Sequence, residues 1–283
     1  MVKLHDILLR PMKKAIHLGL YLIPRGRGVP ILGGPLKGKL LPRESAQKSL
    51  SMLFGRFEAP VVSQFLSGAG LVKIAYDVGA HVGYMTLVLT EILSKEGTVF
   101  AFEPVPFNHA LIRKLVFLNG LNGKVQLVPL ALGDTIGKQR MVVWESSLMN
   151  QLETTVLGKK IIGQPTINTA ISTLDSFVLD QSNPPPDLIK IDVEGAEAMV
   201  IAGGLQTLRE FSPKLLLEIH GPANADRIYE LLQSMGYEWW RLRVVGLERV
   251  LDKRELLSFF SRASWTHHFW IRPIEMKGRG HAS

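Results

Sequence analysis

Short apolar runs rich in β-branched residues alternate along this chain with longer stretches in which apolar side chains return every three or four positions, the pattern of strands interleaved with helices. The run at 72–77 ends in Asp77 and small residues, after which Met85, Val88, Leu89 and Ile92 fall on one helical face. The pattern then predicts a strand at 98–103, a helix at 106–119 carried by Phe107, Leu111, Leu115 and Leu118, and a strand at 124–130. Further on it predicts a helix at 173–179, a strand through Ile189 and Ile191, a strand at 214–220, a helix at 225–235 stopped by Gly236, and strands at 237–245 and 265–271. Such alternation predicts an α/β domain with a mostly parallel sheet, right-handed crossovers and helices on both faces. Ligands of such sheets bind beyond the carboxyl ends of the strands.

Two regions depart from the alternation. Ahead of the first strand, Leu4, Ile7, Leu8, Ile16, Leu20 and Ile23 lie among basic residues, with Pro11 predicting a break in any helix there. Residues 24–43 read as glycine- and proline-rich loops, and 44–66 as helix broken at Phe54-Gly55-Arg56-Phe57-Glu58, together a lid or wall. Within the domain, strands at 139–144 and 166–171 flank a polar loop at 145–164, an insertion suited to acceptor specificity. This divides the chain into an extension and cap (1–70), a catalytic domain (71–273) and a tail expected to be disordered (274–283).

Composition narrows the function classes. The chain is 46% apolar and carries a net charge of +8, from 33 basic and 25 acidic residues, with much of the excess in Lys3, Arg10, Lys13, Lys14, Arg25, Arg27, Lys277 and Arg279 near the two ends. The middle has no run of basic residues interleaved with aromatics, so no nucleic-acid partner is expected. Contact of the basic amphipathic N-terminus with an anionic membrane, or its packing on the domain or a second subunit, both fit. The absence of cysteine removes disulfides, zinc–thiolate sites and thiol nucleophiles. With no long apolar span and no clean leader pattern, a cytoplasmic protein is expected. Oligomeric state has no signal in the sequence.

The chemistry gathers at the predicted strand ends. Asp77-Val78-Gly79-Ala80-His81-Val82-Gly83 brings an acid and two glycines to a strand–helix turn but lacks the Gly-x-Gly-x-x-Gly spacing that holds a dinucleotide's pyrophosphate. A carboxylate there suits a cationic cofactor, and S-adenosylmethionine, with an ammonium, a sulfonium and no phosphate, fits. Glu103 ends the next strand, placed to accept two hydrogen bonds from ribose hydroxyls; Asp134 ends the third, reaching the adenine amino group or serving only its turn. The run Ile189-Lys190-Ile191-Asp192-Val193-Glu194-Gly195-Ala196-Glu197 concentrates acids that call for a cation: a sulfonium, a divalent metal or a neighbouring Lys or Arg. His220, on the same face of its strand as Glu218, is a candidate base titrating near neutrality, or a structural histidine bonded to Glu218 or a carbonyl.

With those residues in view, the chain resembles the FkbM-type S-adenosylmethionine-dependent methyltransferases across roughly 31–240. The resemblance rests on Gly-Gly-Pro-Leu-Lys-Gly at 33–38, Phe-Gly-Arg-Phe-Glu at 54–58, Tyr-Asp-Val-Gly-Ala-His-Val-Gly-Tyr at 76–84, Phe-Glu-Pro at 102–104 and the acidic run at 189–197, the most specific of these. It implies the class I, Rossmann-like methyltransferase fold, a seven-stranded sheet with its last strand reversed, and O-methylation of a sugar, glycan or polyketide-like acceptor. The cofactor set is then Asp77, Gly79, Ala80, His81, Gly83, Tyr84, Glu103, Pro104 and Asp134. On the acceptor side stand Asp192 and His220 as candidate bases, with Glu194 structural or part of an oxygen-rich metal site, although no metal is favoured. His81 departs from the asparagine frequent at that place. A non-catalytic S-adenosylmethionine-binding module is the first alternative, and an NAD-dependent Rossmann enzyme the second.

Overall fold

A computed structural model describes residues 4–24, 26–67, 71–143, 151–152, 165–261 and 264–274; the tail from 275 and most of the 145–164 loop lie outside the described residues. Helix α1 (Leu4–Leu22) passes through Pro11 without the predicted break. A proline removes one backbone bond, which bends a helix but ends it only where the neighbouring bonds also fail. α1 rests on the domain through buried Leu20. Its C-terminal carbonyls at Tyr21 and Ile23 accept from the Arg43 guanidinium at 3.4 and 2.8 Å, a cation satisfying the negative end of the helix. Leu18, Tyr21 and Leu22 face outward. No helix among the described residues is long and apolar enough to cross a membrane.

The cap follows: strands β1 (Gly28–Pro30) and β2 (Leu40–Pro42) pair antiparallel, then come helices α2 (Arg43–Lys48), α3 (Leu50–Leu53) and α4 (Ala59–Leu66). Asn119 anchors β2, its side chain accepting from the Leu40 N–H at 2.9 Å and donating to the Leu40 carbonyl at 2.8 Å as a strand partner would. Two segments that the sequence marks separately cross here. The Leu32 N–H donates to the Leu53 carbonyl at 2.8 Å, and a Cβ at Gly55, whose φ is 65°, would stand 1.9 Å from the Gly33 carbonyl oxygen. Only glycine permits that crossing, which sets the direction of Phe57 and Glu58.

In the main domain, β3 (Val72–Val78), α5 (Tyr84–Thr90), β4 (Leu93–Phe102), α6 (Pro106–Leu118) and β5 (Val125–Val128) form the first half. A small sheet of β6 (Ala131–Leu132), β7 (Gly137–Val142), β8 (Gln151–Leu152) and β9 (Thr166–Ser172) is the predicted insertion. After one π-helical turn (Ser176–Asp180) come β10 (Leu188–Ile191), α7 (Glu197–Ala202), α8 (Leu205–Phe211), β11 (Lys214–His220) and α9 (Pro222–Leu232). β12 (Tyr237–Leu242), β13 (Leu247–Val250), α10 (Lys253–Ser258) and β14 (Thr266–Pro273) close the chain.

The large sheet has the order β13-β12-β14-β11-β10-β3-β4-β5. β14 runs antiparallel to β11, the expected reversed strand. The sheet has eight strands, not seven, because the chain folds back after Leu242 and adds β13 at the edge. That edge strand falls where the sequence pattern predicts one long strand to 245 and then a connection.

Alternation along the strands sorts the side chains into two cores. Tyr76, Ile189, Leu217 and Phe269 pack under α7, α8 and α9, and Ala75, Leu188, Leu216 and Trp270 pack under the cap, α5 and α6. The polar residues Asp77, Lys190, Glu218 and His268 share the cap-side parity. At the carboxyl ends they are therefore roofed by the cap rather than by solvent.

Candidate active site

Two cavities open beyond the carboxyl ends of β3, β4, β10 and β11. The narrower, of about 70 Å³, has largely apolar walls, among them Val78, Phe102, Leu132, Met141 and Val193, with Glu103 as its buried acid. The wider, of about 310 Å³, is lined by Phe57, Tyr84 and four carboxylates, Glu58, Asp192, Glu194 and Glu218. Gly79, His81, Asp192 and Glu194 face both, so one wall divides and joins them.

The wall is built on the turn after β3. Gly79 has φ 83°, and a Cβ there would lie 1.9 Å from the Asp192 carbonyl oxygen; its N–H and that of Ala80 donate to the Phe102 carbonyl at 3.1 and 3.0 Å. Gly79→Ala combines a strained φ with a backbone clash, so a loss of about 2 kcal/mol or more in unfolding free energy is expected by urea denaturation. An unchanged midpoint would show that the approach to Asp192 is looser than this.

His81 sits at φ 51°, in the left-handed region that asparagine and histidine tolerate best, so its replacement of asparagine preserves the turn. Burial, then the charge of Lys48, pulls its imidazole down to about 3, leaving it neutral, and Nε2 has no hydrogen-bond partner among the described residues.

Glu103 is buried and largely engaged. Oε1 accepts from the Val105 N–H at 2.9 Å and Asn108 Nδ2 at 3.2 Å, and Oε2 accepts from the His81 N–H at 2.8 Å. Its carbonyl bonds the His109 ring. One acceptor position remains on Oε2, where the sequence suggests two for a ribose. Burial holds the carboxyl up near 7. Pro104 lines the narrow cavity beside it, whereas Ala80 and Tyr84 line only the wider one.

Three predicted cofactor contacts stand elsewhere. Asp77 is 0% exposed, accepts from Thr86 Oγ1 at 2.6 Å and faces Lys190 Nζ at 3.7 Å; it braces the wall from behind rather than from the rim. Burial raises its carboxyl despite that lysine. Asp134 is exposed and lines neither cavity, because the short β6 carries the chain away from the rim before that residue. Gly83 starts α5 against Ile112 and Leu115, also away from both cavities.

The acidic run behaves differently from an extended strand. β10 stops at Ile191, and Glu194 turns to φ 52°. Lys190 Nζ lies 3.2 Å from Asp192 Oδ2, supplying from within the chain the cation that these acids require. Burial would lower the ammonium, but the charges of Asp192 and Asp77 raise it. Burial would likewise raise Asp192, yet Lys190 and His220 hold it below the usual carboxylate value.

His220 Nδ1 meets Glu197 Oε1 at 2.9 Å, and Nε2 meets Glu194 Oε2 at 3.3 Å. Glu197 is fully buried and also accepts from the Gly195 N–H and Asn224 Nδ2, each at 2.8 Å. Burial works against the charged imidazole, but the Glu197 bond and the charges of Glu197, Glu194 and Asp192 carry it to about 9. At neutral pH His220 is an imidazolium with no lone pair to take a proton, so the expected base is a fixed cation instead. Burial, then the Asp192 charge, lifts Glu194 to about 8, so it holds its proton at neutral pH. Glu197, Lys190, Asn224, Glu58 and His268 are the site residues to which sequence reasoning gave no role. Glu58, Lys190 and Glu197 stood inside quoted motifs without a role of their own, and Asn224 and His268 had no signal at all.

Comparison with known proteins gives the family. The model of the FkbM methyltransferase domain matches residues 77–239, more than half of the chain. Among solved structures, the FkbM methyltransferase from Methylobacillus flagellatus is 14% identical over 70% of this chain, with a TM-score of 0.44, and this chain covers 43% of its length. A putative O-methyltransferase from Klebsiella pneumoniae is 13% identical over 93% of this chain and 99% of its own, with a TM-score of 0.46. An O-methyltransferase from Bacillus cereus in complex with SAH is 12% identical over 93% and 90%, with a TM-score of 0.40. No curated protein matches. On the family match, the chain belongs to the FkbM methyltransferases.

Proposed function

We propose that the protein transfers a methyl group from S-adenosylmethionine to a hydroxyl oxygen of a sugar, glycan or polyketide-like acceptor. The observation that carries this reading is the shared wall: a narrow apolar cavity with one buried carboxylate and a wide acidic one meet across Gly79, His81, Asp192 and Glu194. The adenosyl group is assigned to the narrow cavity, which widens to admit it, with Phe102, Leu132 and Met141 against the base and the free position on Glu103 Oε2 for a ribose hydroxyl. Asp192, held ionised, favours the cofactor's positive charge at the wall. When bound, the cofactor supplies an electrophilic methyl on a cationic sulfur.

The wide cavity suits a polyhydroxylated acceptor. Its carboxylates accept hydroxyl hydrogen bonds, and Phe57 against Tyr84, edge to face at 5.3 Å, offers an apolar surface to a sugar's C–H face. The chain's own work is to orient the hydroxyl and exclude water, from which most of the rate is drawn.

Calorimetric titration with S-adenosylhomocysteine and, in parallel, NADH tests the cofactor. The former is expected to bind, about tenfold or more weaker in Glu103→Ala, the scale of a hydrogen bond to a charged group. NADH is expected not to bind. Binding of NADH alone would overturn the reading.

A further inference from the structure

Three of the four carboxylates of the wide cavity are committed to partners: Asp192 to Lys190 at 3.2 Å, Glu194 to His220 at 3.3 Å, and Glu218 to His268 at 3.1 Å. Glu58 is different. Its Oε2 is buried without a hydrogen-bond partner among the described residues, His268 Nε2 being 3.9 Å away. It occupies the N-cap of α4 in a left-handed conformation (φ 45°, ψ 40°), yet its side chain does not cap the helix, the usual use of an acid there. Strain and an oxygen without a hydrogen bond are retained at a position three residues past the glycine crossing of the cap, on the lining of the cavity.

We propose that Glu58 is the general base of the transfer, its Oε2 taking the proton of the acceptor hydroxyl. This rests on the S-adenosylmethionine reading above. The hydroxyl oxygen forms the new C–O bond, the C–S electron pair stays on sulfur, and the hydroxyl proton passes to Glu58 and then to solvent as product leaves.

The groups facing Glu58 are Lys190 and Asp192 at the end of β10, Glu218 on β11, His268 on β14 and Tyr84 on α5. Burial and the charges of Asp192 and Glu218 outweigh those of Lys190 and His268 and bring its carboxyl to about 7, a base matched to neutral pH. The ionised form is the active one, so rate rises with pH through that value.

Two readouts test the assignment. In carbon-13 NMR of carboxyl-labelled protein, the resonance lost in Glu58→Gln is expected to titrate near 7 rather than in the ordinary range near ~4.3. With tritiated S-adenosylmethionine and a panel of mono- and disaccharides, Glu58→Gln is expected to slow transfer by roughly 10²–10⁴-fold and to lose the rise through neutral pH. Glu58→Asp is expected to keep the rise at a lower rate, and S-adenosylhomocysteine affinity to change less than about twofold in either variant, a shift within about 0.4 kcal/mol. A Glu58 carboxyl still ionised at pH 5, or a Glu58→Gln enzyme with the parental rate and pH profile, overturns the base alone. Failure of S-adenosylhomocysteine to bind the parent overturns the cofactor reading and the base with it; the NMR titration requires no acceptor.

Discussion

Lys190→Met is expected to lower the unfolding free energy by roughly 3–5 kcal/mol at pH 7, the cost of removing one partner from a buried ionic group. Lys190 is 2% exposed and stands between Asp77, fully buried, and Asp192. Without the ammonium, Asp77 keeps the Thr86 hydroxyl as its one compensating partner among the described residues, and burial drives its carboxyl further up. The variant therefore takes up that proton at a higher pH than the parent, and its deficit shrinks as pH falls. Urea denaturation at pH 7 and pH 5 measures both effects. Adding Asp77→Asn is expected to restore part of the loss, a coupling that a double-mutant cycle isolates. A Lys190→Met protein as stable as the parent at pH 7 would mean that Asp77 is already protonated in the parent.

Glu197→Gln is expected to bring the His220 imidazole down from about 9 toward its ordinary value, because the Glu197 bond is the largest effect holding it up. His220 has a folded value above its unfolded one, so the stability it contributes is complete below about pH 6.5 and is lost as pH rises through 9. Glu194, raised to about 8, has the same sign: the folded chain holds a proton that the unfolded chain releases. Parental stability is thus expected to fall between about pH 6.5 and 9 by on the order of 3 kcal/mol from His220, the size of a shift of two to three units. In Glu197→Gln that slope is expected to flatten. Imidazole NMR follows the titration, and urea denaturation at stepped pH follows the stability. An unmoved His220 midpoint would transfer the control of its charge to Glu194.

The succession of strands and helices and the rim were legible because strand periodicity and the carboxyl-end rule need only local sequence, whereas the reversed last strand came with the family resemblance and the order of the sheet is set by pairings between distant strands. The faces of the strands also followed: placing Glu218 and His220 opposite Leu217 and Ile219 is a consequence of a two-residue repeat. What sequence left hidden depends on contacts between distant segments. Asp77 reads as a ligand until Lys190, on the neighbouring strand and in register with it, is seen to bury it. His220 reads as a neutral base until Glu197 is found beneath it, because the charge of a histidine is set by partners that the sequence does not order in space. Glu58 carries no periodic signal; its place follows from a glycine crossing in the cap, and spacing along one segment says nothing of a crossing. Pro11 and the edge strand β13 were misread for a simpler reason: a proline bends as well as breaks, and an apolar run long enough for one strand is long enough for a hairpin.

The reversal of β14 bears on the order in which the protein is made. Running backward, that strand brings its start to the rim, so His268 faces Glu58 and Trp270 meets Phe65 edge to face at 6.1 Å. A stretch early in the chain is therefore enclosed by one that follows it much later. A growing chain contains Phe65 and Glu58 well before it contains the Trp270 and His268 that they meet. The cap is fully seated only when the molecule closes on itself, so the wide cavity that it roofs is expected to be among the last features to form.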